Sequence, residues 1–259
     1  VNRGRSVMSM AVGRACVLLA VLVAAAPACA PGAESAPHGL FGVGQGRSLF
    51  LDCQGNGSPT VFVIPGKGSY AEAWNVVVPP DDPIRASPYD LIEQAQLTPS
   101  DSAVQPVLAR TTRVCAYDRP DTRPDGVQRS TPVAQPHSIS ADVEDIVSLI
   151  GSAGLAGPFV IVAHSYGGLI ADLLARNRPD LIAGLVMVDP VSEFLPAVGT
   201  PAQNAAFYRD GRRPATPGGE SVLFEDAFAQ ISAAAPLPDV PAAVLSSGKF
   251  FAPDVLTDE

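Results

Sequence analysis

Basic charge is scarce in this sequence: 17 Lys and Arg stand against 26 Asp and Glu, a formal net charge of −9. Nucleic acid and anionic membrane surfaces call for a basic footprint, so neither is expected as a partner. An acidic surface also resists association, and the expectation is a monomer. Charged residues of either sign make up only 17% of the chain against 47% hydrophobic, which excludes a disordered polymer and indicates a packed core. The 259 residues are enough for one sizeable α/β domain and too few for two comfortable ones. There is no internal repeat, and the 26 prolines are spread through the loops without forming a long low-complexity tract.

Long apolar runs are equally few. "ACVLLAVLVAAA" (15–26) is too short to cross a bilayer as a mature helix. It follows Arg3, Arg5 and Arg14 and precedes the small residues "PACAPG", the three parts of a secretory signal over residues 1–30. The chain is therefore expected to be exported. Cleavage after Ala28 leaves Cys29 first, so a lipid anchor at Cys29 is a second expectation. It would be the only link to a membrane, although Ala26-Pro27-Ala28-Cys29 lacks the Leu usual three residues before such a Cys.

Cysteine and histidine are scarce too. Of four cysteines, Cys16 and Cys29 belong to the signal region, leaving Cys53 and Cys115 in the domain. In an oxidising compartment these two are natural disulfide partners, the alternative being two separate buried thiols. Neither has CxxC spacing or a nearby His, so no metal is expected. The three histidines are His38, His137 and His164.

What the chain does have, from residue 39 on, is alternation of short apolar strands with helical stretches, the pattern of a mostly parallel sheet covered on both faces. "SLFLDC" (48–53), "TVFVIPG" (60–66), "RVCAYD" (113–118), "PFVIVA" (158–163), "GLVMVD" (184–189) and "AAVLSS" (242–247) are the strand candidates. Several are almost wholly apolar, as strands buried on both faces should be. In "ISADVEDIVSLIGSAG", Ile139, Val143, Ile146, Val147 and Ile150 recur at helical spacing, with Ser140 as expected cap and Gly151 as expected end. "YGGLIADLLARNRP" (166–179) is the second helix, stopped by Pro179. Residues 70–112 read as a Pro-rich surface excursion. Residues 190–240 are too long for a plain linker between two strands and read as a lid-like insertion.

Between the strand "PFVIVA" and that second helix stands Ala163-His164-Ser165-Tyr166-Gly167-Gly168. A serine on a sharp strand-to-helix turn exposes its Oγ at the sheet edge. Its flanks must be small because the turn brings two backbones together. Ala163 and Gly167 meet that need, which makes Ser165 a candidate nucleophile. With "LDCQGNGSPTVFVIPGKG", "TTRVCAYDRP" and "RPDLIAGLVMVDP" in this order, the chain resembles the α/β-hydrolase superfamily over about residues 40–255, particularly its secreted actinobacterial-type serine hydrolases.

The resemblance implies a domain over 38–259 and a reaction on carboxylic esters or related acyl compounds through an acyl-enzyme, with no cofactor and a small-molecule substrate. It implies an oxyanion hole made by the backbone N–H groups of Tyr166 and Lys67, the latter in the turn "PGKG". It sets the second and fourth strands side by side, which pairs Cys53 with Cys115. It implies Asp189, ending the sixth strand, as the acid, with Asp254 in reserve. The same family takes its base from a His after an eighth strand. No histidine of this sequence stands there, so the last strand, its helix and the base are expected to be missing. A catalytically inactive or truncated protein with a binding role is therefore the alternative reading.

Overall fold

The computed structural model describes residues 36–249 except 90, 124–126, 128 and 215. The segment expected to be a signal (1–30), the expected anchor at Cys29 and the reserve acid Asp254 lie outside the described residues.

The described residues open with a hairpin whose second strand was expected and whose first was not. β1 (His38–Gly44) pairs antiparallel with β2 (Arg47–Gln54). The two residues between them, Gln45 and Gly46, both have positive φ (52° and 72°), the conformation that matches a tight turn to strand twist. With β3 (Val61–Ile64), β4 (Val114–Asp118), β5 (Phe159–His164), β6 (Ile182–Val188) and β7 (Ala242–Leu245), they make, among the described residues, one seven-stranded sheet in the order β1-β2-β4-β3-β5-β6-β7. β4, β3, β5, β6 and β7 run parallel to one another, and β2, antiparallel to both β1 and β4, alone runs against the rest.

Every residue of the central strand β3 is buried, which is why it reads as an unbroken apolar run. Phe62 and Ile64 face one layer, where they join Ile161 and Leu185. Val61 and Val63 face the other, with Phe50, Ala116 and Trp74. Each such side chain removed from water contributes about 2 kcal/mol.

Among the described residues six α-helices cover this sheet or its loops: α1 (Val104–Ala109), α2 (Ile139–Ser152), α3 (Tyr166–Asn177), α4 (Leu195–Val198), α5 (Pro201–Arg212) and α6 (Phe224–Ala233). Three short 3-10 turns, Ala71–Asn75, Pro83–Ala86 and Ile92–Gln94, occupy the Pro-rich excursion. Ser138 caps α2, where Ser140 was expected. Its extended backbone (φ −80°, ψ 149°) frees the side chain to accept from Ala141 N, whereas Ser140 is already helical. The left-handed residue beyond that helix is Gly154 (φ 64°), three positions after the expected Gly151.

The stretch 190–240 divides in two. α6 sends Phe224, Phe228 and Ile231 into the same core as α2 and α3. Around α4, by contrast, Phe194 and Val198 stay 70% and 81% exposed.

Cys53 and Cys115 are direct partners in the antiparallel β2/β4 ladder, and their sulfurs are bonded. With 62 residues separating them, the chain-entropy account gives the crosslink about 4 kcal/mol. Among the described residues no helix is long and apolar enough to cross a membrane.

Candidate active site

Ser165 joins β5 to α3 with φ 51° and ψ −122°, a conformation that costs a non-glycine residue about 1–3 kcal/mol. Backbone bonds from three directions hold it there. Ser165 N donates to Val188 O at 3.2 Å, while Ser165 O accepts from Gly168 N at 2.9 Å and Val191 N at 3.1 Å.

Close backbone approach explains the small residues around it. A Cβ on Gly167 would lie 2.4 Å from Ile64 O and 2.7 Å from Pro65 O. One on Gly168 would lie 2.7 Å from the Pro190 Cβ. Ala163 fits where glycine is more usual because it sits wholly inside β5 with only a methyl to place.

The turn after β3 abuts this elbow. A Cβ on Gly66 would meet His164 Nδ1 at 2.8 Å and the Ser165 Cβ at 3.1 Å. The turn is closed by Ser69 N donating to Gly66 O at 3.1 Å, with Gly68 left-handed at φ 66°. Lys67 therefore occupies its second position. Its side chain leaves the site: Nζ donates to Asp210 O at 2.9 Å and Arg213 O at 2.6 Å, fastening the end of α5. Partial burial pulls that ammonium below its ordinary pKa, against the attraction of Glu220 and Asp210.

Tyr166 is the first residue of α3, where a backbone N–H has no partner within the helix. Its ring turns inward, and its hydroxyl donates to Asp142 Oδ2 at 2.8 Å. Burial pushes the Asp142 carboxyl up to about 7; Glu220 pushes the same way, while Arg119, His137 and the Tyr166 hydroxyl oppose it.

Asp189 follows β6 directly, one residue beyond the carbonyl that binds Ser165 N. Fold topology therefore brings it to the same sheet edge as the serine. It is exposed and left-handed (φ 45°); its N–H donates to Leu245 O at 2.7 Å, and its Oδ1 accepts from Ser247 N at 3.4 Å.

The histidines are placed differently. His38 Nδ1 lies 2.8 Å from Asp52 Oδ1 on the first hairpin. His137 Nε2 lies 3.5 Å from Asp145 Oδ2 and 4.0 Å from Asp142 Oδ1, facing α2. Its pKa is raised by Asp145, with burial opposing. Burial pushes the Asp145 carboxyl up, but bonds from His137 and Arg47 outweigh this and hold it low. His164 ends β5 and packs against Gly66.

Two residues beside the elbow turn escaped the sequence reading. Arg119, 1% exposed just after β4, pairs with Glu220: Nε donates to Oε1 at 2.6 Å. Burial opposes the guanidinium charge, but Glu220 and neighbouring groups outweigh it, so Arg119 stays cationic. The signal available was an Arg directly after a buried strand, in "YDRP". Glu220, inside a stretch read as a cover, gave none. Among the described residues no group of three or more His, Cys, Asp or Glu side chains is arranged to hold a metal ion.

A family model described as the alpha/beta hydrolase family matches residues 61–258. An uncharacterized protein of Schizosaccharomyces pombe is 30% identical over 166 residues, covering 61% of this chain and 29% of that protein. Lipase LipV of Mycobacterium tuberculosis is 45% identical over 60 residues, covering 23% of each. The chain thus spans less than a third of the length of either relative. Among solved structures, mouse alpha/beta hydrolase domain-containing protein 10 superposes with a TM-score of 0.49 at 14% identity, over 82% of this chain and 77% of that one. A thermophilic esterase from Thermogutta terrifontis superposes with a TM-score of 0.44 at 19% identity, over 67% and 52%.

Proposed function

The chain belongs to the alpha/beta hydrolase family, and on that premise we propose that it is a serine hydrolase of carboxylic esters or related acyl compounds. The observation that carries this reading is the strained Ser165 wedged against the β3 turn, with Gly167 and Gly66 at the two points of contact. Similarity to a lipase over 60 residues supports the substrate class.

In this account the Ser165 Oγ adds to the substrate carbonyl carbon, and its proton passes to an imidazole base oriented by Asp189. The oxyanion accepts from the N–H groups of Lys67 and Tyr166. Collapse expels the alcohol, which takes the proton, and water then releases the acid from the acyl-Ser165 ester. The Cys53–Cys115 crosslink supports export, since such bonds persist in oxidising compartments.

The positions of the histidines favour a second reading, an acyl-binding protein without turnover. His38 and His137 are paired with Asp52 and Asp145 instead of with Asp189. Free imidazole separates the two. The hydrolase reading expects imidazole to accelerate p-nitrophenyl butyrate cleavage by this chain, with at least about 1,000-fold of the protein-dependent rate lost in Ser165→Ala. A rate equal to that of Ser165→Ala, with and without imidazole, would leave the binding reading standing.

A further inference from the structure

Arg119 spends its donors in an unusual way. Nε and one terminal nitrogen go to Glu220, and both terminal nitrogens reach backbone carbonyls of a single loop: Pro65 O at 2.7 Å and Gly66 O at 2.5 Å. Glu220 completes the clamp by accepting from Gly68 N at 2.6 Å through Oε2. The carbonyls of Pro65 and Gly66 and the N–H of Gly68 belong to three consecutive peptide groups, 65–66, 66–67 and 67–68. All three are oriented by one ion pair.

The middle group matters most. In a trans peptide the C=O and N–H point in opposite directions, and the Gly66–Lys67 bond is trans. Fixing the Gly66 carbonyl on Arg119 therefore aims the Lys67 N–H the other way. Arg119 also lies over the Tyr166 ring, 5.4 Å from its centroid, and so touches the residue that carries the second donor. The two partners come from remote parts of the chain, the end of β4 and the segment leading into α6. Their buried charges meet only at this turn.

We propose that Arg119 and Glu220 are positioning residues that hold the Lys67 N–H in the orientation an oxyanion requires. This rests on the serine hydrolase reading of the same site. The pair touches no substrate in this account; it acts through the peptide it holds.

The test compares Glu220→Gln and Arg119→Lys with Arg47→Met, which breaks a different ion pair, Arg47–Asp145, as a stability control. Turnover is measured with p-nitrophenyl butyrate and imidazole, and affinity with butylboronic acid, whose adduct with a serine has a tetrahedral, anionic boron that presents an oxygen where the oxyanion would form. The Glu220 and Arg119 variants should lose about 10- to 100-fold in kcat with KM changed less than about twofold. Boronic acid Kd should rise by the factor that kcat falls, while Arg47→Met keeps wild-type kcat. Wild-type kcat in folded Glu220 and Arg119 variants, or losses that track melting temperature as in Arg47→Met, would overturn the proposal and leave the hydrolase reading intact. If the wild type shows no Ser165-dependent turnover, that reading fails by itself. The Lys67 and Gly68 amides then decide the clamp: their resonances should shift in Glu220→Gln and not in Arg47→Met. Unchanged amides would overturn it.

Discussion

The two ends of the site are built to different standards. On the serine side, the β3 turn and the elbow touch at Gly66 and Gly167, and three backbone bonds fix Ser165. A fully buried ion pair anchors the adjoining loop. On the acid side, Asp189 is exposed, its carboxylate meets Ser247 N at a loose 3.4 Å, and all four residues of the neighbouring β7 are exposed. In the proposed reading, attack and oxyanion binding thus rest on closely held backbone, while the proposed acid depends on a thinly packed edge. A change of equal chemical size should therefore cost more on the first side than on the second.

The largest cost falls on Glu220. Replacing it with Ala leaves Arg119 charged and buried without its partner, and urea unfolding should show a loss of about 3–5 kcal/mol. Gly167→Ala comes next. Its methyl has nowhere to go between Ile64 O and Pro65 O, so about 1–3 kcal/mol should be lost in the same assay, with weaker labelling of Ser165. At the acid end Asp189→Asn should barely alter stability. Asn tolerates the left-handed backbone, and the site is exposed, yet imidazole-dependent turnover should fall at least about 10-fold. Turnover unchanged in Asp189→Asn but lowered in Asp254→Asn would move the acid to the reserve residue.

A fourth measurement is one of slope. Buried Asp142 keeps its proton to about pH 7 in the folded chain, whereas an ordinary carboxyl releases it near 3.8. The folded state therefore binds the extra proton between these values, and stability falls as pH rises from about 4 to 7. The raised pKa of His137 extends the fall above its ordinary 6.5. Wild type should unfold at lower urea at pH 8 than at pH 5, and Asp142→Asn should reduce that difference. The smallest effect belongs to β7: Val244→Lys, on a strand position 65% exposed, should change stability by no more than about 0.5 kcal/mol.

The same contrast governs how much was legible in the sequence. The inner strands β3, β4, β5 and β6 announce themselves because burial on both faces demands unbroken apolar runs, and α2 and α3 because each buries one stripe. The elbow is legible for the same reason, since its small residues answer to steric contact. β1 was missed because His38–Gly44 is an edge strand with three glycines and mixed exposure, so neither alternation nor propensity marks it. Arg119 and Glu220 were missed because 101 residues separate them, and nothing local in "GGE" signals a partner across the fold. Ser138, and not the expected Ser140, caps α2, because two serines so close look alike as caps until backbone angles are known.

The most direct test of the central claim is covalent labelling of the intact chain with a fluorophosphonate, followed by peptide mapping. The account predicts one adduct, on Ser165, absent from Ser165→Ala and weakened in Glu220→Gln. A folded chain that takes up no label, or takes it on another residue, would contradict it.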